Sequence, residues 1–318
     1  MNKWECNILA KLNKSIYLIP VMVIISWGLN VVMVKFLTQN IQPMHAAAIR
    51  MLCAGIALLP FVWKKYGFYK PNAKQWGLLL LIGLCMIALH QALLAYGVVS
   101  TSAANASLIL GLNPLTTALL ASIFIGETFT LKLFAGILLG FSGVVLVVLN
   151  GSDPSVGFSG SGDFIMVLSM LAYVAGGLFI KKITATSIPT LVVTAYSTLI
   201  GAVLLNIGTV VYFGPASYAG QHFSPAIWTV MLLSAWVATS LGTLGWSYSI
   251  KMLGVSRTAM FLNGLPFTSM IGGYLFLHEK LGWIHAAAFI LTTLGIIIGT
   301  VKFRRLNAAT VKGRSVNS

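Results

Sequence analysis

Negative charge is what this chain most lacks. Its 318 residues carry five Asp or Glu against 20 Lys or Arg, and charged residues of both signs make up only 8% of it. A soluble globule needs far more polar surface, so that class is excluded. Cysteine is equally scarce. Cys6, Cys53 and Cys85 form no disulfide framework, and two of them sit inside apolar runs, where they read as small packing residues. The acids and the five histidines are scattered, whereas a membrane-embedded enzyme needs such groups clustered around a metal or nucleophile. The expectation is no enzyme, no metal and no cofactor.

What the chain has is hydrophobic residues, 58% of the total, with a mean hydropathy of +0.92. Apolar runs of about 20 residues, the length that crosses a bilayer, fall at about residues 16 to 36, 44 to 63, 76 to 97, 103 to 125, 131 to 150, 163 to 180, 189 to 211, 226 to 249, 255 to 277 and 283 to 302. They predict an all-α polytopic membrane protein with ten transmembrane helices, its first partner the lipid bilayer. The first run comes after basic residues, as a signal peptide would. It is long, no small-residue cleavage site comes after it, and it has a counterpart later in the chain, so it reads as the first span.

A net charge of +15 would suggest a nucleic-acid partner in a soluble protein, but here its distribution carries the information. With the N-terminus in the cytoplasm, the cytoplasmic segments receive Lys3, Lys11 and Lys14, then Lys64, Lys65, Lys70 and Lys74, then Lys132, Lys181, Lys182, Lys251 and Arg257, and finally Lys302, Arg304, Arg305, Lys312 and Arg314. Lys35, Arg50 and Lys280 fall elsewhere. This asymmetry places both termini in the cytoplasm and makes the basic excess a topology signal, with no nucleic acid implied.

One order of landmarks occurs twice. Tyr96, Pro114, Glu127 and Gly143 are answered 152 positions later by Tyr248, Pro266, Glu279 and Gly295, and Trp76 by Trp228. Nearer each start the offset is 146: Trp27 pairs with Tyr173, Lys35 with Lys181, Pro43 with Pro189 and Gly55 with Gly201. The difference puts six extra residues into the second copy, most simply between Phe213 and Ser224. The expected organisation is a tail over 1–15, a five-helix repeat over 16–150, an outer linker over 151–162, a second repeat over 163–302 and a basic tail over 303–318. Five spans are an odd number, so the second repeat enters the membrane inverted around a central cavity, as in many secondary transporters.

Several residues within the spans could carry chemistry. Trp27 and Asn30 are three apart and share a helix face. His90 and Gln91 fall near mid-membrane, where His90 could be a proton site, a substrate contact or a helix-to-helix hydrogen-bond partner. Arg50 enters the second span by about six residues and reads first as a side chain reaching back to the headgroups. Pro114 and Pro266, loosened by Gly111 and Gly264, interrupt the fourth and ninth spans, and paired breaks of this kind point to a midplane binding site. Asn105, Asn113, Thr116 and Asn263 lie beside them. Glu127 and Glu279 precede the fifth and tenth spans and read as structural caps there. Those two spans carry Gly136-x-x-x-Gly140 and Gly295-x-x-x-Gly299, close-packing faces for use within one chain or in a homodimer.

A Trp-Gly-x-Asn start, an Arg early in the second span, Asn-Pro in the fourth, Gly-Glu after it and a glycine-ribbed fifth span, all in a duplicated inverted order, resemble the EamA-type ten-helix members of the drug/metabolite transporter superfamily. The resemblance runs from Trp27 to Gly299 and is architectural. It departs at Gly264-Leu265, which stand where Asn should precede Pro266, and at Tyr196, which stands where Arg50 would repeat. It implies a basket of helices around a central cavity, and a place in the inner membrane of a bacterium exporting amino acids or related metabolites. The expected function is alternating-access transport, most simply efflux, of a small neutral or zwitterionic metabolite that is amino-acid-like. Trp27, Asn30, His90, Gln91, Asn105, Asn113, Tyr173, Trp246 and Asn263 are the candidate substrate contacts, with gating at Gly111, Pro114, Gly264 and Pro266. A drug/proton antiporter for cations usually needs a buried carboxylate, and none falls mid-span. The alternatives are an exporter of lipophilic drugs or cations, a channel, or a scaffold without carrier activity.

Overall fold

The computed structural model describes residues 16–100, 109–150, 160–219, 223–265, 267–268, 271–272, 275 and 283–300. Every regular element among them is helical. In hydrocarbon, backbone N–H and C=O groups have no water to bind, and a helix satisfies them within one segment. The first helices are α1 (Leu18–Asn40), α2 (Pro43–Tyr66) and α3 (Ala73–Ile82), the last continuing through a π-helical stretch (Gly83–Leu89) into α4 (His90–Ser100). Next come α5 (Asn113–Ile125), α6 (Leu131–Asn150), α7 (Ser161–Thr184) and α8 (Thr190–Phe213). A short 3-10 turn (Pro215–Tyr218) leads to α9 (Pro225–Leu233), which continues through a second π-helical stretch (Ser234–Leu241) into α10 (Gly242–Leu253). Then come α11 (Val255–Ala259), a 3-10 segment (Met260–Gly264) and α12 (Trp283–Thr300).

Among the described residues, six helical segments are long and apolar enough to cross a membrane: 18–40, 43–66, 73–97, 161–184, 190–213 and 225–253. At about 1.5 Å per residue the 23 residues of α1 reach about 35 Å, enough for the hydrocarbon core. Shorter apolar helices cover 113–125, 131–143 and 286–300. Many large side chains face outward, including Met22, Phe61, Ile123, Phe124 and Val211, each at least 63% exposed. Such a surface is a defect in water and the required one against lipid chains. The chain is therefore an all-α polytopic membrane protein.

Helix ends obey local chemistry. Asn72 and Gln75 form a reciprocal capping box at the start of α3 (2.9 and 3.0 Å), and Ser224 accepts the Ile227 N–H at the start of α9. Helix α5 begins at Asn113, just after a turn at Leu112, with Pro114 in its first turn, where a missing N–H costs nothing. The turn at Leu112 separates the helical residues 109–111 from α5. On the matched side the backbone tightens to 3-10 geometry up to Gly264, while Pro266 lies outside the described residues. Between α8 and α9 the 3-10 turn sits over the first turn of α2, Ser217 Oγ lying 2.8 Å from His45 Nε2.

Helices pack mainly on partners far away in sequence: α6 on α12, α2 on α8, α4 on α7, α1 on α10 and α5 on α11. The glycine faces of α6 and α12 meet each other within this one chain. A Cβ on Gly136 would stand 2.6 Å from the Gly295 carbonyl oxygen, and one on Gly295 2.6 Å from that of Gly136. Those faces are used up internally and are not left for a second copy.

Glu127 requires a correction. It caps a helix, but not the fifth span that comes after it. Gly126, at φ +67° in the left-handed region, ends α5, and the Glu127 N–H reaches back to the Ala121 carbonyl. The turn delivers the carboxylate to α11, where Oε1 accepts the Val255 N–H (2.8 Å) and Oε2 accepts the Ser256 N–H (3.0 Å) and hydroxyl (2.7 Å). Three charge-assisted bonds, spanning 128 or 129 positions of sequence, tie α5 to α11. Glu127→Ala is expected to cost about 2 to 3 kcal/mol, read as a clear drop in the unfolding midpoint of the detergent-purified protein. Ser256→Ala, which removes one of the three bonds, should lose less. Glu279 lies outside the described residues.

Candidate functional site

A cavity of about 290 Å³ opens among α1, α2, α4, α7 and the two π-helical stretches. Helix α1 gives it Trp27, Asn30, Val31 and Val34, spaced i, i+3, i+4 and i+7, which is one helix face. The second helical wall repeats that spacing with Ile87, His90, Gln91 and Leu94, joined by Met86. Arg50 and Met51 come from α2, Tyr173 from α7, and Ala238, Thr239 and Thr243 from the run that crosses the second π stretch into α10.

The π stretches explain part of this convergence. Their wider turns displace the next residues around the helix axis, and such segments recur at functional sites. Their last residues, Leu89 and Leu241, are 152 positions apart, the offset of the sequence repeat. In the second stretch, hydroxyls reinforce the wide turn by bonding carbonyls five residues back, Thr239 to Ser234 (3.2 Å) and Ser240 to Ala235 (3.0 Å). The Ala238 carbonyl accepts the Trp27 indole N–H at 2.8 Å, fixing that ring in the wall.

Rings form an arc behind and beside the cavity. Trp27 lies 5.1 Å from Trp246, Trp246 6.3 Å from Tyr173, and Tyr173 5.0 Å from His90, measured between ring centroids. His90 Nδ1 sits 3.1 Å from the Ser169 carbonyl and 3.0 Å from its hydroxyl, which itself donates to the His90 carbonyl (3.1 Å). These contacts favour a proton on Nδ1, which leaves Nε2 as an acceptor. The Tyr173 hydroxyl is buried without a hydrogen-bond partner among the described residues. The Asn30 side-chain oxygen accepts the Ser234 hydroxyl.

Trp27, Asn30, His90, Gln91 and Tyr173 therefore come together around one cavity. Trp246 is 2% exposed and backs the wall from behind Trp27 and Tyr173. Asn113 and Asn263 lie elsewhere. Asn113 is buried with its oxygen accepting the Thr117 hydroxyl (3.0 Å), and Asn263 is pressed against Gly140 of α6. Asn105 lies outside the described residues.

Arg50 is the residue that sequence reasoning misplaces. It does not reach back to the headgroups. It is 8% exposed, lines the cavity, and donates from Nη1 to the Thr239 hydroxyl (2.9 Å) and from Nη2 to the Gln91 side-chain oxygen (3.4 Å). Counting six residues into a span gives a depth along the axis, not the direction in which the side chain leaves it. Thr239 and Thr243 are not among the expected contacts either, although a Thr-Ser-x-x-Thr run inside an apolar span is a readable sign of a polar face.

No group of three or more His, Cys, Asp or Glu that could hold a metal occurs among the described residues. A long-helix membrane fold around a mostly apolar cavity with a few polar groups defines a small-molecule carrier. The EamA-like transporter family matches residues 14–149 and 160–301, and the chain belongs to that family. It is a secondary transporter of small molecules and not an enzyme. The chain is 30% identical over 275 residues to the uncharacterized transporter YyaM of Bacillus subtilis, covering 83% of this chain and 88% of that one. It is 24% identical over 302 residues to the probable amino-acid metabolite efflux pump of Escherichia coli, covering 92% and 97%. A solved crystal structure superimposes with a TM-score of 0.77 over 92% of this chain and 99% of the other at 18% identity, a likeness of fold.

Proposed function

We propose that this protein carries a small neutral or zwitterionic, amino-acid-like metabolite outward by alternating access. The observation that carries this reading is the cavity itself. Its volume of about 290 Å³ falls just short of the roughly 300 to 1,000 Å³ usual for small-ligand sites, and its wall combines aliphatic and aromatic side chains with Asn30, His90, Gln91 and a buried cation. Arg50 in that wall repels lipophilic cations, which weighs against the drug-type alternative. The Escherichia coli relative, named as an amino-acid metabolite efflux pump, supports both the substrate class and the direction.

Two inverted five-helix repeats, over 16–150 and 163–302, supply the exchange of open sides. The reciprocal packing of α1 on α10 and α4 on α7, and the two π stretches one repeat apart, support that arrangement. In this reading the breaks beside Pro114 and Gly264 are the bending points, both termini are cytoplasmic, and the membrane is the inner membrane of a bacterium.

A thermal-shift screen of the detergent-purified protein against amino acids, nucleosides, sugars and lipophilic cations tests the reading, because a ligand bound only to the folded state raises its midpoint. Neutral or aromatic amino acids are expected to stabilise it, and the stabilising compound to show saturable counterflow in proteoliposomes. Stabilisation by lipophilic cations alone would reverse the assignment, and unsaturable conductance would make it a channel.

A further inference from the structure

Among the described residues, the charge in the cavity wall has no counter-charge. Arg50 offers five N–H donors in a planar fork, matched in geometry to a carboxylate. Its described partners are two neutral oxygens, one of them at 3.4 Å. The carboxylate of Glu127 is committed to Val255 and Ser256, and Asp163, at the start of α7, is not among the partners of Arg50. A guanidinium within a membrane span normally faces the bundle interior and pairs with an opposite charge, because leaving it bare in a medium without water is costly.

We propose that Arg50 is the anchor for a carboxylate on the cargo, so that the transported molecule is a carboxylic acid with an apolar body whose negative charge neutralises the guanidinium. This inference rests on the carrier reading above and narrows its substrate class. Thr239 holds the guanidinium in place from the second π stretch and Gln91 from α4, just past the first one. Val31, Val34, Met51 and Leu94 form the apolar lining for the body of the cargo. An α-ammonium group, where the cargo has one, finds an acceptor in the Nε2 of His90, another polar group of the wall. A polar molecule without a carboxylate leaves the guanidinium desolvated and unpaired, and a cation adds repulsion. A discrimination of about ten- to a hundredfold is expected from one charge-assisted fork.

The test compares matched sets on the full-length protein in detergent: phenylalanine, phenylalaninamide, phenethylamine and 3-phenylpropionate, with the corresponding leucine set. Binding is read by thermal shift and by titration calorimetry. The acids are expected to bind at least about tenfold more tightly than the amides and amines of the same skeleton. Arg50→Gln should erase the difference between acid and amide, and Arg50→Lys, which keeps the charge but not the fork, should retain part of it. Because the preference is read first on the wild-type protein, a poorly folded Arg50→Gln variant leaves the proposal falsifiable. Acids that bind no better than their amides, or fail to bind at all, overturn it, as does an Arg50→Gln protein that keeps the preference. If amides and acids bind equally, the carrier reading survives and Arg50 is a brace between α2, α4 and the second π stretch. If lipophilic cations alone bind, the carrier reading for neutral or zwitterionic cargo fails as well.

Discussion

Gly136→Leu is expected to yield no monodisperse folded protein. The Cβ of any residue at this position would stand 2.6 Å from the Gly295 carbonyl oxygen, 2.8 Å from the Gly299 nitrogen and 2.9 Å from its Cα. All three are backbone atoms of α12, so no side chain can turn aside and the helices themselves must separate. Lipid chains are as apolar as leucine, so little hydrophobic force drives α6 towards α12, and close packing is what joins them. Separation would also stretch the Thr292 hydroxyl bond to the Gly140 carbonyl (3.2 Å) and uncover the buried Leu133 and Ile137. The cost is about 4 kcal/mol or more, against which the better helix propensity of Leu returns only about 1 kcal/mol. Gly77→Leu is the control. Nothing lies within 4 Å of a Cβ at that helical, exposed position, and the change should stay within about 0.5 kcal/mol. Size-exclusion profiles and unfolding midpoints of the two variants decide the matter. A Gly136→Leu protein that behaves like Gly77→Leu would mean that α6 and α12 do not meet as described.

That glycine ridge shows what a sequence can and cannot disclose about this fold. The Gly-x-x-x-Gly pairs name the surfaces that approach closely, but not whether each finds its mate in the same chain. Trp27 and Asn30, and likewise His90 and Gln91, reach the cavity together because each pair is close in sequence and keeps its relative placement, even at His90, where the helix has just left a π stretch. Asn263 is not a local neighbour of those pairs: residues 260–264 are 3-10, for which an ordinary helical period does not give the facing, and its side chain lies against Gly140. The π stretches have no residue signature at all, yet each extra residue turns the remainder of its helix by about 100°. Faces drawn with an ordinary helical period therefore lose phase beyond Leu89 and Leu241. Glu127 is legible as a cap and illegible as to which helix it caps, since its partners, Val255 and Ser256, are contributed by a segment of chain more than a hundred residues away.

Gly242→Ala is expected to lower ligand affinity about tenfold or more while the protein still folds. Gly242 and His90 occupy matched positions 152 apart, and Trp27 and Tyr173 matched positions 146 apart. In one half the aromatic ring meets an imidazole at 5.0 Å; in the other the indole presses on a residue with no side chain. A Cβ at Gly242 would stand 2.5 Å from Trp27 Nε1 and 3.1 Å from Cδ1. The indole cannot retreat towards Trp246, whose ring is already 5.1 Å away, so it must swing off the Ala238 carbonyl and into the cavity. A polar N–H that loses its partner costs about 1 to 3 kcal/mol, and each 1.4 kcal/mol of lost binding is tenfold in affinity. The stability loss is small by comparison, because α10 keeps its other contacts and Ala favours a helix over Gly. Trp27→Phe removes the atom that collides, so the double variant should recover part of the binding that Gly242→Ala loses, a coupling that a double-mutant cycle reads directly. Calorimetry with a ligand found in the thermal-shift screen supplies the four affinities. Additive losses would show that the methyl group acts without touching Trp27, and unchanged affinity in the single variant would remove that indole from the substrate's surroundings.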